Sequence, residues 1–371
     1  MFFSRSAKNT QDLCYILAMA KKILIIGSGI IGASLAYHLA AKGAVVTVLE
    51  AKERAGGVAT PNTWGWINAS WGNPEPYAKL RMRSMDMWQA LGSVKGLIVN
   101  WCGGLMWDVP PDELSAYVKQ HSAWGYGPRV VDKAEAIRLE PNLRSPPELA
   151  VHVAEEGVIE PEAAVRGFMN AALAAGAVLK PAARVQKLVM TNNRVSGVMV
   201  EGQEIEADEV VVAAGVESVG LLQSAGLVLP LKESAAIVVY TRPIQAALNG
   251  MIISPDMELR QCPDGRLLAA TNLTDGREEN DSAEDVLANI RKLLRLDQDL
   301  KLDEVRIGHR PMPTDGFPLV GRMTNVEGLY VAVTHSGITL APAIGAFGAA
   351  EILDGERHEL LELYHPDRLI L

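Results

Sequence analysis

The stretch Lys21-Lys22-Ile23-Leu24-Ile25-Ile26-Gly27-Ser28-Gly29-Ile30-Ile31-Gly32 decides how the chain is read. Ile23 to Ile26 form a short apolar run rich in β-branched residues, the pattern of a strand buried on both faces. A glycine loop follows at once. The spacing then predicts a helix from Ala33 to Lys42, ended by Gly43, and a second strand over Val45 to Leu49 with Glu50 at its end. The whole has the size of a βαβ unit. Gly27 permits the tight turn, Gly29 lets backbone approach a pyrophosphate, and Gly32 lets helix and strand pack closely. The helix start offers free N–H groups and partial positive charge to phosphates. Glu50 is placed to hold ribose hydroxyls and repels a 2′-phosphate, which argues against NADP.

Working outward, the 371 residues exceed the roughly 250–300 at which one core stops growing, so two domains are expected. A net charge of −9 without a basic run disfavours nucleic acid and anionic membrane as partners. Cys14, Cys102 and Cys262 stand far apart and suggest neither a disulfide framework nor a zinc site. No metal-ligand cluster and no Ser-His-Asp or Cys-His arrangement stands out. No apolar run reaches the roughly 18 residues of a membrane span. Residues 1–20 read as a poorly ordered extension, or as an upstream start with Met19 the natural beginning. Their apolar part, Leu13 to Ala20, is short for a secretory leader and follows Asp12, so a cytoplasmic location is expected.

Past Glu50, a second glycine pair and a threonine follow closely in Ala51 to Thr60, where a plain NAD domain would usually continue to another helix. This segment resembles the second phosphate-contacting loop of flavoproteins with two dinucleotide-binding domains. Gly176 to Val200 alternates like a hairpin, with Thr191 to Arg194 as its turn. Glu206 to Gly215 then reads as a buried strand ending in the small-residue turn Ala213-Ala214-Gly215. Three tryptophans crowd Trp64, Trp66 and Trp71, in a Gly-, Asn- and Pro-rich segment that must be a loop packed on something.

Near the C-terminus, Gly308-His309-Arg310-Pro311-Met312-Pro313-Thr314-Asp315-Gly316-Phe317-Pro318-Leu319-Val320-Gly321 precedes a strand over Gly328 to Val333. Then come Thr334-His335-Ser336-Gly337-Ile338-Thr339-Leu340-Ala341-Pro342 and a small-residue helix to about Leu353. The pattern resembles the GxRPxxxDGxPxxG, strand, HxxxGxxLAP succession of the D-amino-acid oxidase and glycine oxidase family of FAD-dependent amine oxidoreductases. With the N-terminal loop, the resemblance covers both ends of the chain.

The resemblance implies a Rossmann-like FAD-binding domain interleaved with an antiparallel-sheet substrate domain. Residues 21–87, 154–229 and 307–371 would form the first, 88–153 and 230–306 the second, with helices over 76–91, 161–175 and 282–296. It implies non-covalent FAD held by Gly27, Gly29, Ile30, Ile31 and Gly32, by Glu50 and Ala51, and by Gly57, Val58, Ala59 and Thr60. Trp64, Val185, Ala213, Ala214, Gly215 and Gly308 join them, with Arg310, Ser336, Gly337, Ile338 and Thr339. The helix start near Gly337 would stabilise negative charge on the reduced ring. Covalent attachment is not expected, because Gly308 stands where relatives that attach flavin carry cysteine.

Arg310 matches the family arginine that binds the substrate carboxylate, a task suited to a guanidinium fork; a structural ion pair is the other reading. His335 stands where glycine oxidase has a second arginine, and it serves either the site or the scaffold. The family's pocket tyrosine has no counterpart in Met257 to Leu267: Arg260 or Glu258 faces the pocket there, or the strand is a solvated edge. Trp64, Trp66 and Asn68 touch the flavin or fill an interdomain core. The implied reaction is oxidation of the C–N bond of a small amine or amino acid (glycine, a D-amino acid or an N-substituted amino acid). Hydride passes to flavin N5, and the imine hydrolyses. Molecular oxygen or another acceptor then takes the electrons. Alternatives are 2-hydroxy-acid oxidation or an RNA-modifying step on the same fold, the latter disfavoured by charge, and a flavin-binding subunit of a heteromeric amine dehydrogenase.

Overall fold

The computed structural model describes residues 21–70, 73–272 and 279–371. The N-terminal extension and Trp71 lie outside the described residues. The glycine loop sits at the end of the middle strand of a six-stranded sheet. Its strands run, edge to edge, Leu319–Arg322, Leu329–Val333, Glu209–Val212, Lys22–Ile26, Val45–Leu49 and Val178–Lys180. Every neighbour is parallel except the first pair. The alternation of a strand appears in how Lys22–Ile26 is buried. Ile23 and Ile25 join the core under the helices, while Leu24 and Ile26 join a second core with Leu188, Val195 and Val198. Those last three belong to a three-stranded sheet that contains the predicted hairpin, Val185–Thr191 and Arg194–Val200.

The helix Ile30–Ala41 begins three residues before the predicted start, because Ala33 already donates to the Gly29 carbonyl at 2.9 Å and so draws Ile30 to Gly32 into the first turn. It lies between Pro161–Ala174 and the long helix Gly337–Asp354. Ser34 Oγ donates to Ala341 O at 2.7 Å across the second contact. The helix Gly337–Asp354 is as long and apolar as a membrane-crossing one, with mean hydropathy 1.2. Glu351 and Asp354 fall within it, so it is not an unbroken apolar run of that length. It is 72% buried inside the protein, as a core helix is.

The second sheet has eight strands: Leu302–His309, Ala235–Thr241, Leu267–Asn272, Glu258–Gln261, Met251–Ile253, Gly104–Met106, Leu149–Val153 and Arg129–Asp132. It is not wholly antiparallel as expected, since Met251–Ile253 and Gly104–Met106 run parallel. Glu258–Gln261 is flanked on both sides and Arg260 is 1% exposed, so the reading of a solvated edge is wrong. One face carries the helix Glu279–Leu293, whose Val286, Leu287 and Ile290 pack on Ile237, Val239 and Leu259. That helix ends before the predicted Leu296 because Leu294 turns away to bridge Leu143. Two expected domain boundaries fall inside elements. Residue 88 lies within the helix Glu75–Ala90, and residue 307 within the strand Leu302–His309, which stays paired to Ala235 through His309.

The helix Glu75–Ala90 braces the start of Gly337–Asp354. Pro342 has no N–H, so the Ile338 carbonyl four residues back loses its intrahelical partner. The buried Trp88 supplies one, donating Nε1–H to Ile338 O at 3.0 Å and to Thr339 O at 3.2 Å. Ser84 Oγ donates to Thr339 O at 2.6 Å and accepts from Ala343 N at 3.3 Å. A buried carbonyl left alone costs about 1–3 kcal/mol. Trp88→Phe, which keeps an aromatic ring but deletes the donor, is therefore expected to destabilise the protein by about that amount. Urea unfolding followed by fluorescence and circular dichroism measures it, and an unchanged midpoint would show that the Ile338 carbonyl does not depend on Trp88.

Candidate active site

A single cavity of about 1060 Å³ runs from the glycine loop to the eight-stranded sheet. Its near end is walled by Glu50, Ala51, Val185 and the turn Ala213–Gly215. Gly27, Gly29, Ile30 and Ile31 border its waist with Gly57 to Thr60 and Ser336 to Thr339. Trp64, Trp66, Asn68, Gly308, Arg310 and His335 surround its far end. Among the predicted cofactor residues, Gly32 alone is not part of the wall. It packs behind the loop, where a Cβ would collide with the Gly27 carbonyl oxygen. Gly27 itself has φ +98°, and a Cβ there would lie 2.7 Å from Ala213 O.

At the near end, Glu50 is buried and fixes the loop. Its Oε2 accepts from the Ser28 N–H at 3.0 Å and from the Ser28 hydroxyl, and its Oε1 accepts from the Lys52 N–H at 2.9 Å. Oε1 keeps a lone pair free for a further donor. Thr60 Oγ1 accepts from Ile30 N–H at 3.2 Å and joins the second glycine loop to the first helix. At the waist, Ser336 adopts a left-handed conformation with φ +57°, and the first intrahelical bond is Leu340 N–H to Ser336 O at 3.1 Å. The N–H groups of Gly337, Ile338 and Thr339 precede that bond and carry the positive end of the helix dipole to the cavity.

At the far end, Arg310 is fixed by two neutral partners. Its Nε donates to Ser234 Oγ at 2.8 Å and its terminal nitrogen to Asn272 Oδ1 at 2.8 Å. It has no ion-pair partner among the described residues, so the structural reading of Arg310 as half of a salt bridge has no support there. His335 is half-buried and pushed down to about 4, first by desolvation and then by the Arg81 and Arg310 guanidiniums. It is therefore a neutral imidazole with its Nδ1 2.9 Å from Ser336 Oγ. Arg81, on the helix Glu75–Ala90, is buried; its Nε donates to Asn68 O at 3.0 Å, and a terminal nitrogen also bonds Asn68 Oδ1. Sequence reading missed Arg81, Ser234 and Asn272.

The family comparison follows this geometry. The model of the FAD dependent oxidoreductase (DAO) family matches residues 22–350. The chain belongs to that family. It is 28% identical over 373 residues to the uncharacterized oxidoreductase YurR of Bacillus subtilis, covering 93% of this chain and 98% of the relative. It is 26% identical to the glycine oxidase of Pseudomonas putida over 351 residues, 88% of this chain and 92% of that one. The L-proline dehydrogenase structure from P. horikoshii superposes with a TM-score of 0.85 at 24% identity, covering 94% and 97% of the two chains, and speaks for the shared fold.

The chain is an FAD-dependent oxidoreductase of the DAO family, and its residues fit the cofactor. Glycine-loop backbone, helix-start N–H groups and the Glu50 carboxylate all border the cavity, a set of groups that suits a dinucleotide. Gly308 offers no side chain for covalent attachment, and a Cβ there would overlap the Asn62 carbonyl. Cys262 is buried and its thiol is pushed up to about 11. Trp64 and Trp66 line the cavity and pack on each other, ring centroids 4.9 Å apart.

Behind the tryptophans lies a buried carboxyl that sequence reading missed. Glu156 accepts from Trp66 Nε1 at 2.9 Å and from the hydroxyls of Ser70 and Tyr126. Burial pushes it up to about 7 in spite of those donors. Arg260 secures the same loop, donating from Nε to Trp64 O at 2.6 Å while pairing with Glu160 at 2.6 Å. Because the folded-state value of Glu156 exceeds the unfolded one, its contribution is fully present below about 4.5 and declines as pH rises to about 7. Unfolding free energies from pH 5 to 8 should show Glu156→Gln gaining on the wild type with rising pH, by about 3 kcal/mol at most. A constant difference across that range would mean that Glu156 does not titrate in it.

Proposed function

We propose that the protein oxidises the C–N bond of a small amino acid or N-substituted amino acid to an imine, which water hydrolyses. The observation that carries this reading is Arg310: a guanidinium in the cavity wall, oriented by Ser234 and Asn272, with donors left over and no described carboxylate partner. A planar fork of this kind matches a carboxylate in two parallel bonds. Glycine oxidase, named for the Pseudomonas putida relative, has a substrate of this class.

Bound FAD supplies the hydride acceptor. The chain's own part is orientation and exclusion of water. Arg310 holds the carboxylate, and Trp64 and Trp66 close one side of the cavity with apolar surface. Neutral His335 adds no third positive charge beside Arg81 and Arg310, and it offers a ring nitrogen for hydrogen bonding. The backbone N–H groups of Gly337 to Thr339, at the cavity wall, would stabilise the negative charge of the reduced cofactor.

The purified protein is expected to be yellow, to bleach anaerobically with an amino acid of this class, and to recolour with its acceptor. Arg310→Ala should raise KM for a carboxylate substrate on the order of 100-fold. Equal turnover of the matching amine without a carboxylate, by wild type and variant alike, would sink the reading.

A further inference from the structure

One ionisable side chain interrupts an apolar row on the cavity face of the eight-stranded sheet. Partnered residues of neighbouring strands lie on the same face. The register therefore sets Val151, Met106, Ile253, Glu258, Ala270 and Val238 side by side. The five apolar members are each buried to 5% exposure or less. Glu258 lines the cavity and has neither a hydrogen bond nor an ion pair among the described residues. Its nearest cations are otherwise engaged. Arg310 is turned to Ser234 and Asn272, and Arg260, two residues along the same strand, is turned to Trp64 O and Glu160.

A carboxyl in such a row is expensive to bury alone, at about 1–3 kcal/mol or more when charged. Burial holds Glu258 near 7; the charge of Asp108 raises it further, and that of Arg310 opposes the rise. Asp108 lies just beyond the strand Gly104–Met106, on the same side of the sheet order as Glu258, and also lines the cavity. Arg310 follows Leu302–His309, the strand at the opposite edge. The substrate end of the cavity thus carries an acidic side made by Glu258 and Asp108, and the Arg310 charge reaches Glu258 as well.

The geometry points to Glu258, beside Asp108, as the receptor for a cationic side chain of the substrate, which makes basic amino acids, free or N-substituted, the preferred class. This inference rests on the reading of Arg310 as the carboxylate site. With the carboxylate on Arg310, a side chain ending in ammonium or guanidinium runs along the apolar row to the acidic side. There one cation relieves the repulsion between two carboxylates. A neutral side chain of the same length fills the row but leaves Glu258 unpaired.

The test uses the FAD-loaded full chain and stopped-flow anaerobic flavin reduction. Lysine is compared with norleucine and ornithine with norvaline, in both enantiomers, and the concentration dependence separates Kd from limiting rate. The wild type should bind the basic member of each pair on the order of 10- to 100-fold more tightly. The preference should grow as pH rises through about 7, where Glu258 ionises. Glu258→Gln and the apolar Glu258→Met should erase the preference while retaining flavin, and Glu258→Lys should turn it toward 2-aminoadipate. No preference in the wild type, equal weakening of both members of a pair in the variants, or loss of flavin and fold in both Gln and Met variants would each overturn the proposal. Arg310→Ala separates the two readings. It should weaken every amino acid alike, and if it does not, the carboxylate reading fails independently of Glu258.

Discussion

A missing hydrogen governs much of this structure. Pro342 cannot donate to the Ile338 carbonyl, and the helix that faces the cofactor cavity would fray at the turn where it must be rigid. Trp88 and Ser84 reach across from the helix Glu75–Ala90 and occupy the freed carbonyls. That docking sets the position of the first-turn N–H groups. It also sets where Arg81 stands, because Arg81 lies on the same bracing helix and holds Asn68 in the tryptophan loop. Thr339 completes the connection, with its hydroxyl between Trp66 O at 3.2 Å and the Asn68 N–H at 3.3 Å. Helix start, tryptophan loop and bracing helix form one unit because each supplies a polar group the others lack.

The cavity shows a division of electrostatic labour. Its waist is governed by backbone dipoles, which do not titrate. Its far end, and the layer behind its tryptophans, are governed by side chains whose protonation burial has moved. His335 is kept neutral by burial near two guanidiniums, while Glu156 and Glu258 are held near neutrality's edge by desolvation. The opposed pair of effects means that acid charges the imidazole only well below physiological pH, whereas the two carboxyls respond near it. Low-dielectric walls make each of these charges count for more than it would in water.

What the sequence made legible was local. The strand, glycine loop and helix from Lys22 to Ala41 declare themselves through spacing, because turn geometry and phosphate approach demand glycine at fixed intervals. The Arg310 and His335 segments were readable through resemblance. What stayed hidden depends on three-dimensional register. Arg81 sits on an ordinary amphipathic helix, and only its packing on Gly337–Asp354 turns it inward. Glu156 and Tyr126 come from separate segments that converge behind Trp66. The parallel pair Gly104–Met106 and Met251–Ile253 involves strands of three residues, too short for any periodicity to reveal direction. Pro342 inside an apolar helix was the one local hint that an outside donor must exist.

The order of the central sheet bears on how the protein is made. One side of the strand carrying the glycine loop pairs with the nearby Val45–Leu49, but on the other Ile25 pairs with Val211, and Val211 with Tyr330, so that side waits for partners emerging much later from the ribosome. Such non-local pairing is slow to form and leaves strand edges open in the meantime. The last strand and helix bring the remaining wall of the cavity, so the site for FAD closes only when nearly the whole chain is out. Cofactor capture is then a late event of biogenesis, and it stabilises the folded state by mass action, rising with the logarithm of the free flavin concentration once that exceeds Kd.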